Sequence, residues 1–486
     1  MPRLSQHSLR DLPKGIGGPA YERSAIRTGV IHFGIGAFHR VHQALVFERA
    51  LAAGDSRWGI EGVSLRSPDV SERLNAQDHL YTLVERDGSN ERRQVIGAVR
   101  NVHVASRGVE PILAALADEA THLVTLTVTE KGYLLDPATG LLDLGHPDIA
   151  HDVASLESPR TAIGFIVAGL ARRRGRSRPP FTAISCDNLP HNGLRLRNAV
   201  LAVAEAHDPS LADWIAARGA FPQTMVDRIV PATTEDDIAT FERQTGLTDR
   251  ALVNTETFLQ WVVEERFAGE VPDFGAHGAS LVHDVAPWEE AKLRLLNGAH
   301  SAIAYLGGLA GIEFVHAFVE HEDGRAFIDR LWSESAATLA TTEGLDLEAY
   351  RRDLLKRFAN PALHHRTRQI ASDGSQKIPQ RLLAPIAARL ARGLPIDALG
   401  LAVAAWMQWQ VGRNDRGEAH TVDDPLAAVL KSDGTRPVAN EIDRFLSIEA
   451  IFPPLLSEDA RFRATLEASL AMLREKGATA SLQHGG

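Results

Sequence analysis

Cysteine is almost absent from this sequence, and its scarcity narrows the classes of protein to which the chain can belong. Only Cys186 is a cysteine among the 486 residues. A single thiol cannot form a disulfide within the chain, which is consistent with a protein of a reducing compartment. It also excludes a cysteine-rich structural zinc site. With 44% hydrophobic residues, the chain can bury the core of two or three ordinary domains without a disulfide or a metal.

Long hydrophobic runs and an excess of basic residues are absent as well. No apolar run approaches the ~20 residues of a membrane-spanning helix, and residues 1–16 lack the apolar segment of a signal peptide. The net charge is -10, whereas a nucleic-acid-binding protein normally presents a basic face. The sequence therefore predicts a cytoplasmic protein that binds neither a membrane nor a nucleic acid.

Strands and helices alternate in the first half of the sequence. Short apolar or β-branched runs predict strands, and longer periodic stretches predict helices. The predicted strands are 30–34, 59–65, 123–128 and 181–186, and the predicted helices are 38–53, 112–116 and 161–173. Such alternation is typical of a parallel sheet with helices on both faces.

The pattern becomes helical near residue 284 and stays so almost to the end. Examples are residues 292–309, 326–339, 347–358, 379–391 and 398–411. We therefore predict an α/β fold of two domains. A Rossmann-type doubly wound sheet domain covers residues 1–283, and a mainly helical domain covers residues 284–486.

The first predicted strand ends in a glycine turn that opens a helix, Gly34-Ile35-Gly36-Ala37-Phe38-His39. The first glycine permits a tight turn. The second lets a pyrophosphate approach the helix N-terminus, where free N–H groups and the helix dipole favour anions. Because His39 replaces the usual third glycine, the dinucleotide-binding fingerprint is incomplete, and an ordinary strand-to-helix turn is the alternative.

An acid and an arginine follow the second predicted strand. In dinucleotide-binding folds an acid near this point accepts the ribose hydroxyls of NAD, whereas an arginine receives the extra phosphate of NADP. Asp69 and Arg66 therefore predict opposite cofactors. Repulsion between Asp69 and a phosphate favours NAD, unless Asp69 merely caps the next helix.

Alcohol oxidation needs a base for the hydroxyl proton and donors that polarise the oxygen. The sequence shows no Cys/His/Glu set at zinc-site spacing, and no tyrosine is followed four residues later by lysine. Lys292 opens an apolar helical segment, where burial would lower its pKa as a general base requires. At about 100° per residue, Asn297 and His300 lie about 140° and 80° around an α-helix from Lys292. An amphipathic helix with a snorkelling lysine is the alternative.

With these residues in view, the chain resembles the polyol-specific long-chain dehydrogenase/reductase family. Seven blocks in order carry the resemblance over nearly the whole chain. They are Gly34 to Arg40, Gly62 to Arg66, Thr129 to Tyr133, Ser185 to Pro190, Met225 to Pro231, Lys292 to His300 and Ser372 to Lys377.

The resemblance implies a role for each matching position. Lys292 matches the general base, Asn188 and Asn297 the amides that polarise the reacting oxygen, and His300 a substrate-orienting group. Asp227 and Lys377 match positions that bind substrate hydroxyls. The glycine turn, extended to Arg40, and Asp69 match the NAD site. The resemblance further implies a metal-independent enzyme that is a monomer or a weak homodimer.

Some residues distinguish branches of that family. Gln369 stands where mannitol dehydrogenases have an arginine. The residues next to Gln369 look more like the fructuronate reductase branch, and so do Lys377 and Lys131. Arg366 or Lys131 near the pocket would bind a hexuronate carboxylate, unless both are surface charges. The sequence therefore favours D-mannonate and D-fructuronate as substrates, with D-mannitol and D-fructose or another polyol as alternatives.

Overall fold

The chain forms two compact units, Met1–Val285 and Ala286–Gly486. The computed structural model describes residues 1–88, 90–136 and 139–483. The sequence predicts a division after residue 283, two residues before the division between Val285 and Ala286.

The described part of the first unit, residues 1–88, 90–136 and 139–285, combines twelve strands with ten α-helices. The strands are β1 Ile16–Gly17, β2 Thr28–Phe33, β3 Gly59–Ser64, β4 Tyr81–Asp87, β5 Asn90–Ile96, β6 Val99–Val104, β7 Leu123–Leu126, β8 Thr182–Ser185, β9 Thr224–Asp227, β10 Val253–Glu256, β11 Gln260–Glu264 and β12 Ser280–Val282. The helices are α1 Ala37–Val41, α2 Gln43–Ala52, α3 Asp69–Asn75, α4 Glu110–Ala117, α5 Pro147–Ala154, α6 Ala162–Gly175, α7 Asn192–His207, α8 Pro209–Arg218, α9 Glu235–Thr245 and α10 Phe274–His277. Single 3₁₀ turns lie at Ser8–Asp11, Arg23–Ala25, Ala105–Arg107 and Glu130–Tyr133.

A parallel five-stranded sheet forms the centre of this unit, in the order β6-β3-β2-β7-β8. Counted along the chain these strands run 3-2-1-4-5, the order of a Rossmann fold, and the order reverses between β2 and β7. The four strands predicted from the sequence are all in this sheet, so the doubly wound fold class is confirmed.

Both faces of the sheet are buried, because helices cover each face and successive side chains of a strand point to opposite faces. Val30 packs on one face with α2 and Trp58. Ile31 and Phe33 pack on the other face with α4, α6 and α7. Near-continuous apolar strands are therefore required, which is why β2, β7 and β8 could be read from the sequence.

Two smaller sheets complete the unit, and the sequence did not predict them. One has the order β1-β5-β4-β10 and the other β12-β11-β9. The hairpin of β4 and β5 carries many exposed polar residues, so its alternation is weak: the burial of β5 runs from exposed Asn90 to buried Ile96.

The second unit consists of helices joined by loops, and its described part has no β-strand beyond isolated bridges. Its α-helices are α11 Ala286–Ala291, α12 Gly298–Leu309, α13 Val315–Glu320, α14 Glu322–Ala336, α15 Leu347–Phe358, α16 Thr367–Ile370, α17 Gly374–Ile378, α18 Ala384–Ala391, α19 Asp397–Trp409, α20 Ala427–Leu430, α21 Val438–Leu446, α22 Pro454–Ser457 and α23 Ala460–Ser481. A 3₁₀ turn lies at Pro361–Leu363, and two π-helical turns lie at Lys292–Asn297 and Pro379–Leu383. The mainly helical second domain is confirmed.

Candidate active site

The glycine turn lies where β2 ends and α1 begins. Gly34 has φ +93°, and a Cβ built on it would lie 2.1 Å from the carbonyl oxygen of Thr127, which follows β7. Only glycine fits this close approach. At Gly36, the N-cap of α1, a Cβ would meet nothing nearer than the Gly34 oxygen at 3.9 Å. This backbone is open to a ligand, as a pyrophosphate site requires.

A stacked pair of histidines explains the missing third glycine. His39 of α1 is fully buried, and its ring lies 3.3 Å from the ring of His32 in β2, with 13° between their planes. The His32 ring in turn contacts the hydroxyls of Thr125 at 2.7 Å and Thr127 at 2.9 Å. Burial lowers the pKa of His32 to about 3 and that of His39 well below its usual value. Two neutral rings therefore join helix to strand where glycine usually permits close packing.

Arg40, which the sequence assigns to the cofactor site, is buried away from solvent. Its guanidinium donates to the carbonyl oxygens of Ala251 at 2.5 Å and Gly36 at 3.3 Å. The same group lies over the ring of Tyr81, whose hydroxyl donates to the Arg40 carbonyl. The structure thus uses Arg40 to anchor α1 against β4 and the residues just before β10.

A cavity of about 600 Å³ lies at the carboxyl ends of β2, β3 and β7. This is where ligands bind in doubly wound sheets, beside the reversal of strand order. Gly34, Arg66 and Lys131 line it. Asp69 does not: it is the first residue of α3 and lines a separate cavity with Arg73. The structure therefore brings Gly34, Arg66 and Lys131 together and leaves Asp69 at a helix start.

The loop that follows β7 is fastened by Asp187, a residue that the sequence analysis did not single out. Its carboxylate accepts hydrogen bonds from the backbone N–H groups of Thr129 at 2.8 Å and Val128 at 3.2 Å, and from the Tyr133 hydroxyl at 2.8 Å. Thr129 has φ +65°, a strained conformation for a β-branched residue. The signal was present, since Tyr133 and Asp187 both lie in blocks that carry the family resemblance.

Two assigned polar residues lie at strand ends of the same unit. Asn188 is exposed and follows β8 by three residues, directly after Asp187. Asp227 is the buried last residue of β9. Burial raises the pKa of Asp187, the neighbour of Asn188.

The π turn in the second unit changes the placement of the predicted base. Residues 286–309 form one helical rod, and the Gly298 N–H donates across the turn to the Leu293 carbonyl, five residues back. A π turn holds one more residue than an α turn, so the angular advance across it falls by about 100°. Asn297 then lies about 40° from Lys292 instead of 140°, and His300 about 20° on the other side instead of 80°. The three side chains share one face.

That face contains two polar atoms that have no partner in the described part of the chain. Lys292, Asn297 and His300 are each at most 9% exposed. Asn297 Nδ2 and His300 Nε2 are buried, and neither forms a hydrogen bond with a described residue. Burial, His365, Arg357 and Arg381 lower the pKa of His300 well below its usual value, so the ring is neutral. Buried polar atoms are normally paired, so these two atoms are available to form hydrogen bonds with a ligand.

The remaining assigned residues of this unit lie on other elements. Lys377 of α17 is partly buried, and its ammonium donates to the carbonyl oxygen of Ser372 at 2.6 Å. Burial lowers its pKa. Arg366 is exposed, forms an ion pair with Glu313 and lies over the ring of Phe314. Arg366 therefore matches the surface-charge alternative.

Two further findings concern residues 1–88, 90–136 and 139–483. Within them, no group of three or more His, Cys, Asp or Glu side chains could hold a metal ion. No helix in these ranges is long and apolar enough to cross a membrane.

Comparison with known proteins decides the family. Residues 28–275 match the mannitol dehydrogenase Rossmann domain, and residues 284–474 match the mannitol dehydrogenase C-terminal domain. The chain belongs to the mannitol dehydrogenase family. The family and its similar relatives are oxidoreductases that act on CH–OH groups, and so is this chain. The resemblance found in the sequence is confirmed.

Similar mannitol dehydrogenase family members differ in their named substrates. D-mannonate oxidoreductase of Escherichia coli is 42% identical over 466 residues, covering 95% of this chain and 96% of that protein. Mannitol 2-dehydrogenase of Pyricularia oryzae is 38% identical over 497 residues, covering 99% and 98%. The Pseudomonas fluorescens mannitol 2-dehydrogenase structure, a ternary complex with NAD and D-mannitol, has a TM-score of 0.84, 36% identity and 99% coverage of both chains. A substrate-free D-sorbitol dehydrogenase structure has a TM-score of 0.92 and 31% identity, covering 99% of this chain and 100% of that one.

Proposed function

We propose that this chain catalyses reversible hydride transfer between NAD and a secondary alcohol of an open-chain sugar acid, with D-mannonate and D-fructuronate as its substrate pair. The observation that carries the proposal is the shared face of Lys292, Asn297 and His300 on the π turn, with two unpaired buried polar atoms. The 42% identity to a D-mannonate oxidoreductase supports this substrate over mannitol.

The proposed mechanism assigns one task to each side chain. Neutral Lys292 accepts the hydroxyl proton as the carbon–hydrogen bond breaks and the carbonyl forms. Asn297 and Asn188 donate hydrogen bonds to the oxygen while negative charge builds on it. His300 orients the substrate, and Asp227 and Lys377 bind its other hydroxyls. NAD, when bound, supplies the hydride acceptor. No metal is required, because the ammonium that forms on Lys292 balances the negative charge that builds on the reacting oxygen.

The glycine turn supports an NAD-type dinucleotide, because it is built to take the pyrophosphate that NAD and NADP share. Gly34 permits the tight turn, Gly36 leaves the backbone open, and the α1 N-terminus has N–H groups without helical partners. The choice between NAD and NADP is tested by Asp69→Asn. A rise in kcat/KM with NADPH relative to NADH would support discrimination by Asp69. An unchanged ratio would assign Asp69 only to the start of α3.

The deciding experiment measures NADH oxidation by the purified protein with D-fructuronate and D-fructose separately, in the presence of a chelator. A much larger kcat/KM for D-fructuronate is the expected result. Preference for D-fructose would establish a mannitol 2-dehydrogenase instead. Loss of turnover in chelator, restored by a divalent metal, would overturn the metal-independent mechanism.

A further inference from the structure

A second π turn places an arginine against the rod that carries the proposed base. Arg381 lies in the π turn Pro379–Leu383, which packs on the π turn Lys292–Asn297. Its guanidinium Nη1 donates to the Asn297 carbonyl oxygen at 3.4 Å and the Ser301 hydroxyl at 3.1 Å. A built Cβ on Gly298 would lie 3.1 Å from the Arg381 carbonyl oxygen, so the two turns are in close contact.

Arg381 is a partly buried cation without an anionic partner in the described ranges. No carboxylate of a described residue lies within 4.0 Å of it. Its Nε and Nη2 groups donate to no described atom, although a guanidinium has five N–H donors. Burial lowers its pKa to about 10, so the group remains charged at neutral pH. A buried cation normally has a partner of opposite charge.

A second hydrogen-bond donor beside Arg381 also lacks an acceptor. Asn297 Nδ2, an N–H donor, has no partner in the described chain. Arg381 adds a positive charge on the neighbouring π turn of the same unit. The ligand that completes this cluster must therefore supply acceptor oxygens, and a negatively charged group satisfies the guanidinium best.

We propose that Arg381 binds the carboxylate of the sugar-acid substrate and thereby sets the preference for a hexuronate over a neutral ketose. This inference rests on the proposed function. It replaces Arg366 and Lys131 as the carboxylate-binding cations, because Arg366 is exposed and paired with Glu313, and Lys131 lines the cavity at the glycine turn. The planar fork of Arg381 can bind both carboxylate oxygens at once.

The test compares Arg381→Gln with wild-type protein in NADH oxidation with D-fructuronate and with D-fructose. We expect kcat/KM for D-fructuronate to fall about a hundredfold, because a desolvated charge-assisted pair is lost, and kcat/KM for D-fructose to change less than about threefold. Arg392→Gln is the matched control. Arg392 is exposed at the end of α18, and within the described structure its side chain donates only to the Ala337 carbonyl, so both activities should remain unchanged.

The outcomes separate this inference from the proposed function. If wild-type protein reduces neither substrate, the proposed function fails. If it reduces D-fructuronate and Arg381→Gln lowers both activities equally, or neither, the assignment of Arg381 alone is overturned. Should Arg381→Gln not fold, Arg381→Lys tests the assignment, because lysine retains the positive charge and lacks the planar guanidinium that binds two carboxylate oxygens. A roughly tenfold loss confined to D-fructuronate then supports the assignment, and an unchanged kcat/KM overturns it.

Discussion

The hydroxyl of Tyr133 donates a hydrogen bond to Asp187 Oδ2 at 2.8 Å and lies 2.5 Å from the Ser185 hydroxyl, which joins the loop after β7 to the end of β8. The same carboxylate holds the backbone of Thr129 in a conformation that costs on the order of 1–3 kcal/mol. The conformation of Val128 and Thr129, which line the cavity beside the glycine turn, thus depends on the buried carboxylate of Asp187.

Replacing that acid should loosen the cavity. Asp187→Asn keeps the shape of the side chain but has one acceptor oxygen where three donors converge. We expect a loss of about 1–3 kcal/mol in the free energy of unfolding and weaker NADH binding, measured by denaturant titration and by fluorescence. Tyr133→Phe, which removes one donor of the three, should show a smaller change in both. Unaltered NADH affinity in Asp187→Asn would show that the loop does not contact the cofactor.

Removing the proposed base should abolish turnover without unfolding the protein. Lys292→Ala should lower kcat at least a thousandfold, because proton transfer and charge balance are lost together. NADH binding should stay within about threefold of wild type, since the proposed cofactor site belongs to the first unit. Stopped-flow and equilibrium titration check the two parts. Normal turnover in this variant would exclude Lys292 as the base.

Glu48 should give the protein a pH-dependent stability. Its Oε2 accepts from the Tyr21 hydroxyl and from the N–H groups of Gly97 and Ala98, and burial raises the pKa of Glu48 to about 6. The folded state therefore holds this proton more tightly than the unfolded state, whose pKa is near 4.5. Stability from this group is fully present below pH 4.5 and is lost as the pH rises through 6, by about 2 kcal/mol.

The variant Glu48→Gln isolates that effect, because its amide does not titrate. The difference in unfolding free energy between variant and wild type should move by about 1.5 kcal/mol in favour of the variant between pH 4.5 and 6.5. Other carboxylates cancel in this difference. A constant difference across that range would contradict the raised pKa.

The buried ion pair of Arg228 and Glu85 should be costly to break from one side. The two groups are 2.5 Å apart, with side chains 0% and 9% exposed, and Arg228 also donates to the Glu256 carbonyl. Arg228→Met leaves a buried carboxylate and should cost about 3–5 kcal/mol in denaturant unfolding. Arg228→Met combined with Glu85→Gln should recover part of the loss. A single-variant cost below about 1 kcal/mol would show that Glu85 takes up a proton or water instead.

The central sheet could be predicted because its strands are buried on both faces. β2, β7 and β8 consist of apolar and β-branched residues, and the glycine turn follows β2 as the pattern indicates. The helix predicted over 38–53 is interrupted at His42, where φ is -113° and ψ is -89°, which no local signal revealed. The two smaller sheets were missed because β1 has two residues and β12 carries no fully buried residue.

The site was predicted by residue but not by geometry. Lys292, Asn297 and His300 were assigned, yet α-helical spacing separated them by up to about 140° because a π turn leaves no mark in periodicity. Arg366 was assigned as a cation near the predicted pocket, and Arg40 as the last residue of the glycine-turn block that carries the resemblance. Neither argument reveals that Arg366 is exposed and paired with Glu313 or that Arg40 is bonded to Ala251. Arg381 was overlooked because its position depends on a second π turn.

The extra residue in the turn Lys292–Asn297 also divides the rod 286–309 into two α-helical segments, α11 and α12. Trp288 and Ala291 are buried before the turn, and every residue of α12 except Gly308 is buried after it. A deletion of one residue between 293 and 296 would merge the two segments into a single uninterrupted α-helix. Lys292 would then precede Asn297 by four residues and His300 by seven, which α-helical spacing places about 40° and 20° away, so the three side chains would still share one face. The chain can therefore lose the π turn without losing the alignment of its active-site side chains.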